Sequence, residues 1–151
     1  MLLKKILREI MQYKSDGDTY IISVEQNESV METLTEFCKE HAIKNGQLSG
    51  IGAISNIEIG AYDLGTQEYT RTLFKDTWEL VSFQGNILLK DNEPFVHAHV
   101  TISNHQFETR GGHLFDATVA IVGEFILRKI STDGKRELNP SIGLACMAFD
   151  L

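Results

Sequence analysis

Three of the five histidines in this 151-residue chain have a spacing that suits a shared metal ion. His97 and His99 stand two apart within Phe95-Val96-His97-Ala98-His99-Val100-Thr101-Ile102-Ser103. On an extended backbone, side chains at i and i+2 share a face. Phe95, His97, His99, Thr101 and Ser103 therefore project one way, and Val96, Ala98, Val100 and Ile102 the other. The unbroken alternation predicts a strand with one apolar face. His113 follows Gly111-Gly112, a pair that frees the backbone for conformations closed to other residues, and a turn there would aim a third imidazole at the same point. Three protein nitrogens and one open position are the usual complement of a catalytic zinc ion. A strand with a plain hydrated face, followed by a histidine in a turn, fits the same residues, so spacing alone leaves both readings open. His105, in Asn104-His105-Gln106, reads as surface, and His41 as a solvated residue favourable to a helix C-terminus.

The elements that must hold such a site are legible around it. Ser29 with Glu32 forms a capping box, and Val30, Leu34, Phe37, Cys38 and Ala42 make the apolar stripe of a helix that ends before Asn45-Gly46. Ser15 to Asp18 is a turn, and Thr19 to Val24 a strand rich in β-formers. From Gln47 the period is two. Leu48 to Ile54 reads as a strand bulged at Gly50 and Gly52, and Ser55 to Asp63 as a further strand. Tyr69 to Phe74 is short. Trp78 to Leu89 is long but broken at Gln84-Gly85-Asn86, and Asp91 to Pro94 turns into the histidine strand. Phe115 to Leu127 is almost wholly apolar, as for a strand buried on both faces. Asp133 to Arg136 has hairpin-turn chemistry, and Leu144 to Phe149 suits an edge strand. One helix among many strands predicts a single α+β domain with a mostly antiparallel sheet.

Composition bounds the function. Apolar residues at 42% and charged residues at 23% are an ordinary globular balance. The net charge of −7 opposes non-specific binding to nucleic acid, where basic side chains supply the affinity. Cys38 and Cys146 lack CxxC spacing and read as reduced thiols of a cytoplasmic protein. Met1 to Ile10 lacks the uninterrupted apolar core and cleavage site of a signal peptide, and no window approaches the ~20 apolar residues of a membrane span. Residues 1–12, with Leu2, Leu3, Ile6, Leu7 and Ile10 at helical spacing, form an N-terminal extension that docks on a neighbouring subunit or packs on its own domain, 13–151.

Four segments carry a resemblance: Leu48 to Ser55 (LSGIGAIS), Glu79 to Ile87 (ELVSFQGNI), Phe95 to Thr101 (FVHAHVT) and Gly111 to Leu114 (GGHL). In that order they resemble the PPC family, the "plants and prokaryotes conserved" domain, over nearly the whole chain after Met11. The resemblance implies an α+β fold around an antiparallel sheet, assembled as a homotrimer. Plant members join this domain to AT-hooks that contact AT-rich DNA. No Arg-Gly-Arg-Pro hook occurs here. His-x-His followed by Gly-Gly-His is also similar to the metal-binding half of acetolactate decarboxylase. That likeness implies His97, His99 and His113 as ligands of a transition metal, zinc first, with iron or nickel as alternatives. It also calls for carboxylates and an arginine, for which Glu79, Glu124 and Arg110 are the candidates.

Three functions remain open at this point. One is a trimeric, metal-binding PPC protein with a regulatory or interaction role. Another is a metal-dependent enzyme on a small carbonyl acid, with Glu79 or Glu124 carrying a proton. The third is a candidate DNA-binding protein, which the acidic charge disfavours unless Lys4, Lys5 and Arg8 gather on one face of a trimer. Glu79 would equally serve as a cross-strand ion-pair partner, and the 84–86 break as a simple bulge.

Overall fold

The computed structural model describes residues 11–150. The expected docking segment therefore lies almost wholly outside the described residues, as do Lys4, Lys5 and Arg8. In chain order the elements are β1 (Gln12–Asp16), β2 (Thr19–Val24), α1 (Val30–Glu40), β3 (Gly46–Asp63), β4 (Glu68–Phe74), β5 (Trp78–Lys90), β6 (Glu93–Ser103), β7 (Thr109–Lys129), β8 (Lys135–Asn139) and β9 (Leu144–Ala148). All nine strands join one sheet, ordered β1-β2-β7-β3-β5-β8-β9, with β4 beside β3. β6 bridges β5 and β7, which also flank β3, so these four strands close a circuit. The pairing is antiparallel except for one parallel contact, Leu89 with Lys135, so the sheet is mixed.

Helix α1 forms where its cap and stripe require. The Glu32 N–H donates to Ser29 Oγ at 3.1 Å, and Val30, Leu34, Phe37 and Cys38 are buried. Burial pushes the Cys38 thiol up to about 12, keeping it protonated. Asp116 of β7 ties the helix to the sheet: it accepts from Ser29 Oγ at 2.8 Å and from the Met31 N–H at 3.1 Å. A carboxylate at a helix N-terminus also meets the positive end of the helix dipole. Ala42 is exposed at a positive φ of 51°, and Ile43 takes the buried place expected of it. His41 is the C-cap rather than a free surface residue, stacked on Phe37 with ring centroids 4.0 Å apart.

Several expected boundaries move. Residues 46–63 form one strand instead of two, bent at the expected Gly50/Gly52 bulge. Gly52 takes a φ of +155°, and an added Cβ would meet the carbonyl oxygen of Val122. β5 runs unbroken through Gln84-Gly85-Asn86, which pair in register with His99, Ala98 and His97; its irregularity lies at Leu80/Ser82. The β5–β6 turn uses Asp91 and Asn92, both at positive φ, the geometry that matches strand twist in a two-residue hairpin. Asp133 to Arg136 is no hairpin turn: it leads from β7 across to β8, and the hairpin falls between β8 and β9. β7 is not buried on both faces, because Ile121 and Ile126 are exposed on the side away from the core.

Candidate metal centre

Val96, Ala98, Val100 and Ile102 of β6 enter the core, which leaves His97 half-buried and His99 exposed on the opposite face. The third imidazole arrives differently from expectation. His113 belongs to β7, in register between His99 on one side and Gly60 on the other. Gly111 and Gly112 make no turn; neither has positive φ. Their smallness serves close approach instead. A Cβ on Gly112 would lie 2.7 Å from the Gly60 carbonyl oxygen, and one on Gly111 2.9 Å from that of Val100.

The three rings converge. Centroids of His97 and His99 are 5.2 Å apart, His97 and His113 5.0 Å, and His99 and His113 5.5 Å. One ring nitrogen from each can be chosen so that all lie within 4.8 Å of one another. Nitrogens about 2.0–2.1 Å from a tetrahedral ion stand about 3.3 Å apart, so small ring rotations would close the set. Nδ1 of His113 is buried without a hydrogen-bond partner, an unmet demand that an ion or a polar ligand would satisfy. The donor set therefore fits a borderline divalent ion, and the triad could hold a metal.

The surroundings keep His97 and His113 neutral. Burial, then Arg136, then the neighbouring rings push His97 down to about 4. Burial, then His99, Arg71 and Arg136 bring His113 to about 4 as well. Neutral imidazole is the ligating form. In the metal-free protein, an unfolded chain binds protons at these two residues below the ordinary value of 6.5, while the folded chain does so only near 4. Stability should therefore fall as pH drops from about 6.5 to about 4, and change little from this cause outside that window. Urea midpoints of the chelated protein should show this slope. It should flatten in His97→Asn/His113→Asn; equal slopes would refute it.

Several contacts of the triad carry no sequence signal of their own. Asn86 is the cross-strand partner of His97, and Tyr69 and Phe115 pack on His113 at 5.0 and 4.8 Å. Arg136, from β8, reaches Nδ1 of His97 at 3.2 Å and Asn86 Oδ1 at 2.6 Å. Asn86 falls in the 84–86 segment, which the sequence marks only as a break in a strand. Arg136 reads in the sequence only as the end of the Asp133–Arg136 turn, because a crossover, not strand alternation, brings it to the triad. Glu79 and Glu124, the candidate proton carriers, and Arg110, the candidate arginine beside the metal, lie elsewhere. Glu79 and Glu124 share a concavity with Ile51, Val81 and Ile121 that no triad histidine lines. Arg110 is exposed, donating to the Thr109 carbonyl at 2.8 Å and lying 3.9 Å from Glu108. A groove lined by Met31, Thr35, Phe95, His113 and Phe115 borders the triad.

The same architecture recurs in solved structures. A candidate DNA-binding protein of Bacteroides thetaiotaomicron is 30% identical, with 93% of this chain and 98% of that one covered and a TM-score of 0.90. A plant- and prokaryote-conserved (PPC) protein of Pyrococcus horikoshii is 29% identical, with 97% and 100% covered and a TM-score of 0.80. A metal-containing protein of Archaeoglobus fulgidus is 27% identical, with 93% and 99% covered and a TM-score of 0.82. Among curated proteins none matches this chain significantly. No helix among the described residues is long and apolar enough to cross a membrane. The sequence profile of the Plants and Prokaryotes Conserved (PCC) domain matches residues 11–131, and the chain belongs to that family.

Proposed function

We propose that this chain is a homotrimeric metal-binding protein with a regulatory or interaction role, holding one transition ion at His97, His99 and His113. The observation that carries the reading is the convergence of three imidazoles, two of them (His97 and His113) held neutral, with an orphaned buried nitrogen among them. The Archaeoglobus fulgidus relative, a metal-containing protein, supports it. Zinc is the first candidate, with iron or nickel next, because imidazole suits all three. A bound ion would supply Lewis acidity at its open position. With His99 exposed and Glu79, Glu124 and Arg110 outside the triad's contacts, binding has more support than turnover of a small carbonyl acid. Metal analysis of protein purified without a histidine tag should find roughly one transition ion per chain, the stoichiometry of a single three-ligand site. A chain that stays metal-free after incubation with zinc and dialysis would end the reading.

The trimer rests on the sheet face that carries Ile21, Ile51, Val81, Ile121 and Ile126, all at least half exposed. Ile21, Ile51, Val81 and Ile126 line one concavity and Ile51, Val81 and Ile121 the adjoining one, so the patch is continuous, with Glu124 within it. Contiguous exposed apolar surface of this kind marks an interface. Ile126→Glu would place an unpaired charge there. Light scattering should find three chain masses for the wild type and one for the variant; a monomeric wild type removes the assembly. The Bacteroides thetaiotaomicron relative is a candidate DNA-binding protein, so DNA belongs among the partners to test, against the charge of −7. Gel shifts at low and physiological salt decide that point.

A further inference from the structure

Arg136 is the charged side chain in hydrogen-bond contact with the triad, and it has no carboxylate partner among the described residues. Its guanidinium is held by neutral acceptors: the Ala145 carbonyl at 3.2 Å, Asn86 Oδ1 at 2.6 Å and Nδ1 of His97 at 3.2 Å. The Nε–H is buried without a partner. Guanidinium has only donors, so Nδ1 of His97 must be the acceptor in that contact. A neutral imidazole has one lone pair and one N–H. With the lone pair of Nδ1 given to Arg136, the proton sits on Nε2 and His97 has no nitrogen free to ligate.

We propose that Arg136 is a built-in competitor for the metal, holding His97 in a non-ligating tautomer that the incoming ion must undo. Ligation through Nδ1 would displace the guanidinium. Ligation through Nε2 would move the ring proton to Nδ1 and set N–H against N–H. Either route breaks the Arg136–His97 bond. Asn86 and Ala145 still hold the arginine once that bond is gone, so one contact is lost and the β8–β9 hairpin stays docked. The family profile ends at residue 131, so the competing group lies outside the span that the family match covers. The inference rests on the triad being the metal site.

The test measures zinc affinity of the full chain for wild type, Arg136→Met and Arg71→Met. Arg71 is the charge control: it acts on His113 through space, stacks 3.5 Å from the Phe115 ring centre and donates its side-chain hydrogen bond to Glu58 rather than to a ring nitrogen. Loss of a hydrogen bond to a charged donor corresponds to about tenfold or more, so the zinc Kd of Arg136→Met should fall by at least that factor. Arg71→Met should change it by less than about threefold, as for a screened surface charge. Imidazole 15N NMR of the zinc-free wild type gives an arm that needs no variant, and should find the His97 proton on Nε2. Unchanged or weaker zinc binding in Arg136→Met, an equal gain in Arg71→Met, or a proton on Nδ1 of His97 would each overturn the competition. Zinc binding by wild type with no gain in Arg136→Met defeats only this inference. No zinc binding in any variant defeats the metal site and the competition together.

Discussion

Joint replacement of His97 and His99 by alanine should leave the chain essentially without transition metal, while wild type retains roughly one ion. Two of three nitrogens vanish, and His113 alone cannot retain a borderline ion against dialysis. The fold should survive. Both positions lie on the face of β6 turned from the core, whereas Val96, Ala98, Val100 and Ile102 make the buried contacts. Elemental analysis and circular dichroism of the same sample separate the two effects. Equal metal content in variant and wild type would place any ion elsewhere.

Gly112→Ala should be the most damaging small substitution near the site. Its new methyl would stand 2.7 Å from the Gly60 carbonyl oxygen, and the obstacle is backbone locked in the β3–β7 ladder. Overpacking of this kind typically costs about 1–3 kcal/mol. Because His113 is the next residue, relief by opening that ladder would draw its ring from the other two, so metal retention should fall along with the urea midpoint. A variant as stable as wild type with full metal content would show that the ladder accommodates the methyl and that the close approach is not required.

The fate of that glycine pair shows where sequence reasoning stops. Glycine marks both turns and places where backbones crowd, and residues 111–112 alone do not say which. The answer depends on the Val100 carbonyl for Gly111 and, for Gly112, on Gly60, more than fifty positions earlier. Local signals did better. The Ser29 cap and its stripe specify α1, and the alternation through β6 assigns each histidine to its face. Polar Lys135 to Asn139 has no apolar period, so the sequence marks no β8, and Arg136 reads only as a turn residue because its approach to His97 depends on a crossover. The apolar run of β7 suggested two buried faces because composition does not distinguish a face covered by the same chain from one left open.

Closure of the strand circuit has a dynamic consequence for the histidine segment. β6 is hydrogen-bonded to β5 along its length and to β7 across His99–Ser103, so its C-terminal half has a partner on each edge. Fraying there would require two zippers to part together. Amides of residues 99–103 should therefore rank among the slowest to exchange with deuterium, and an arriving ion would meet a backbone that has already given up its freedom.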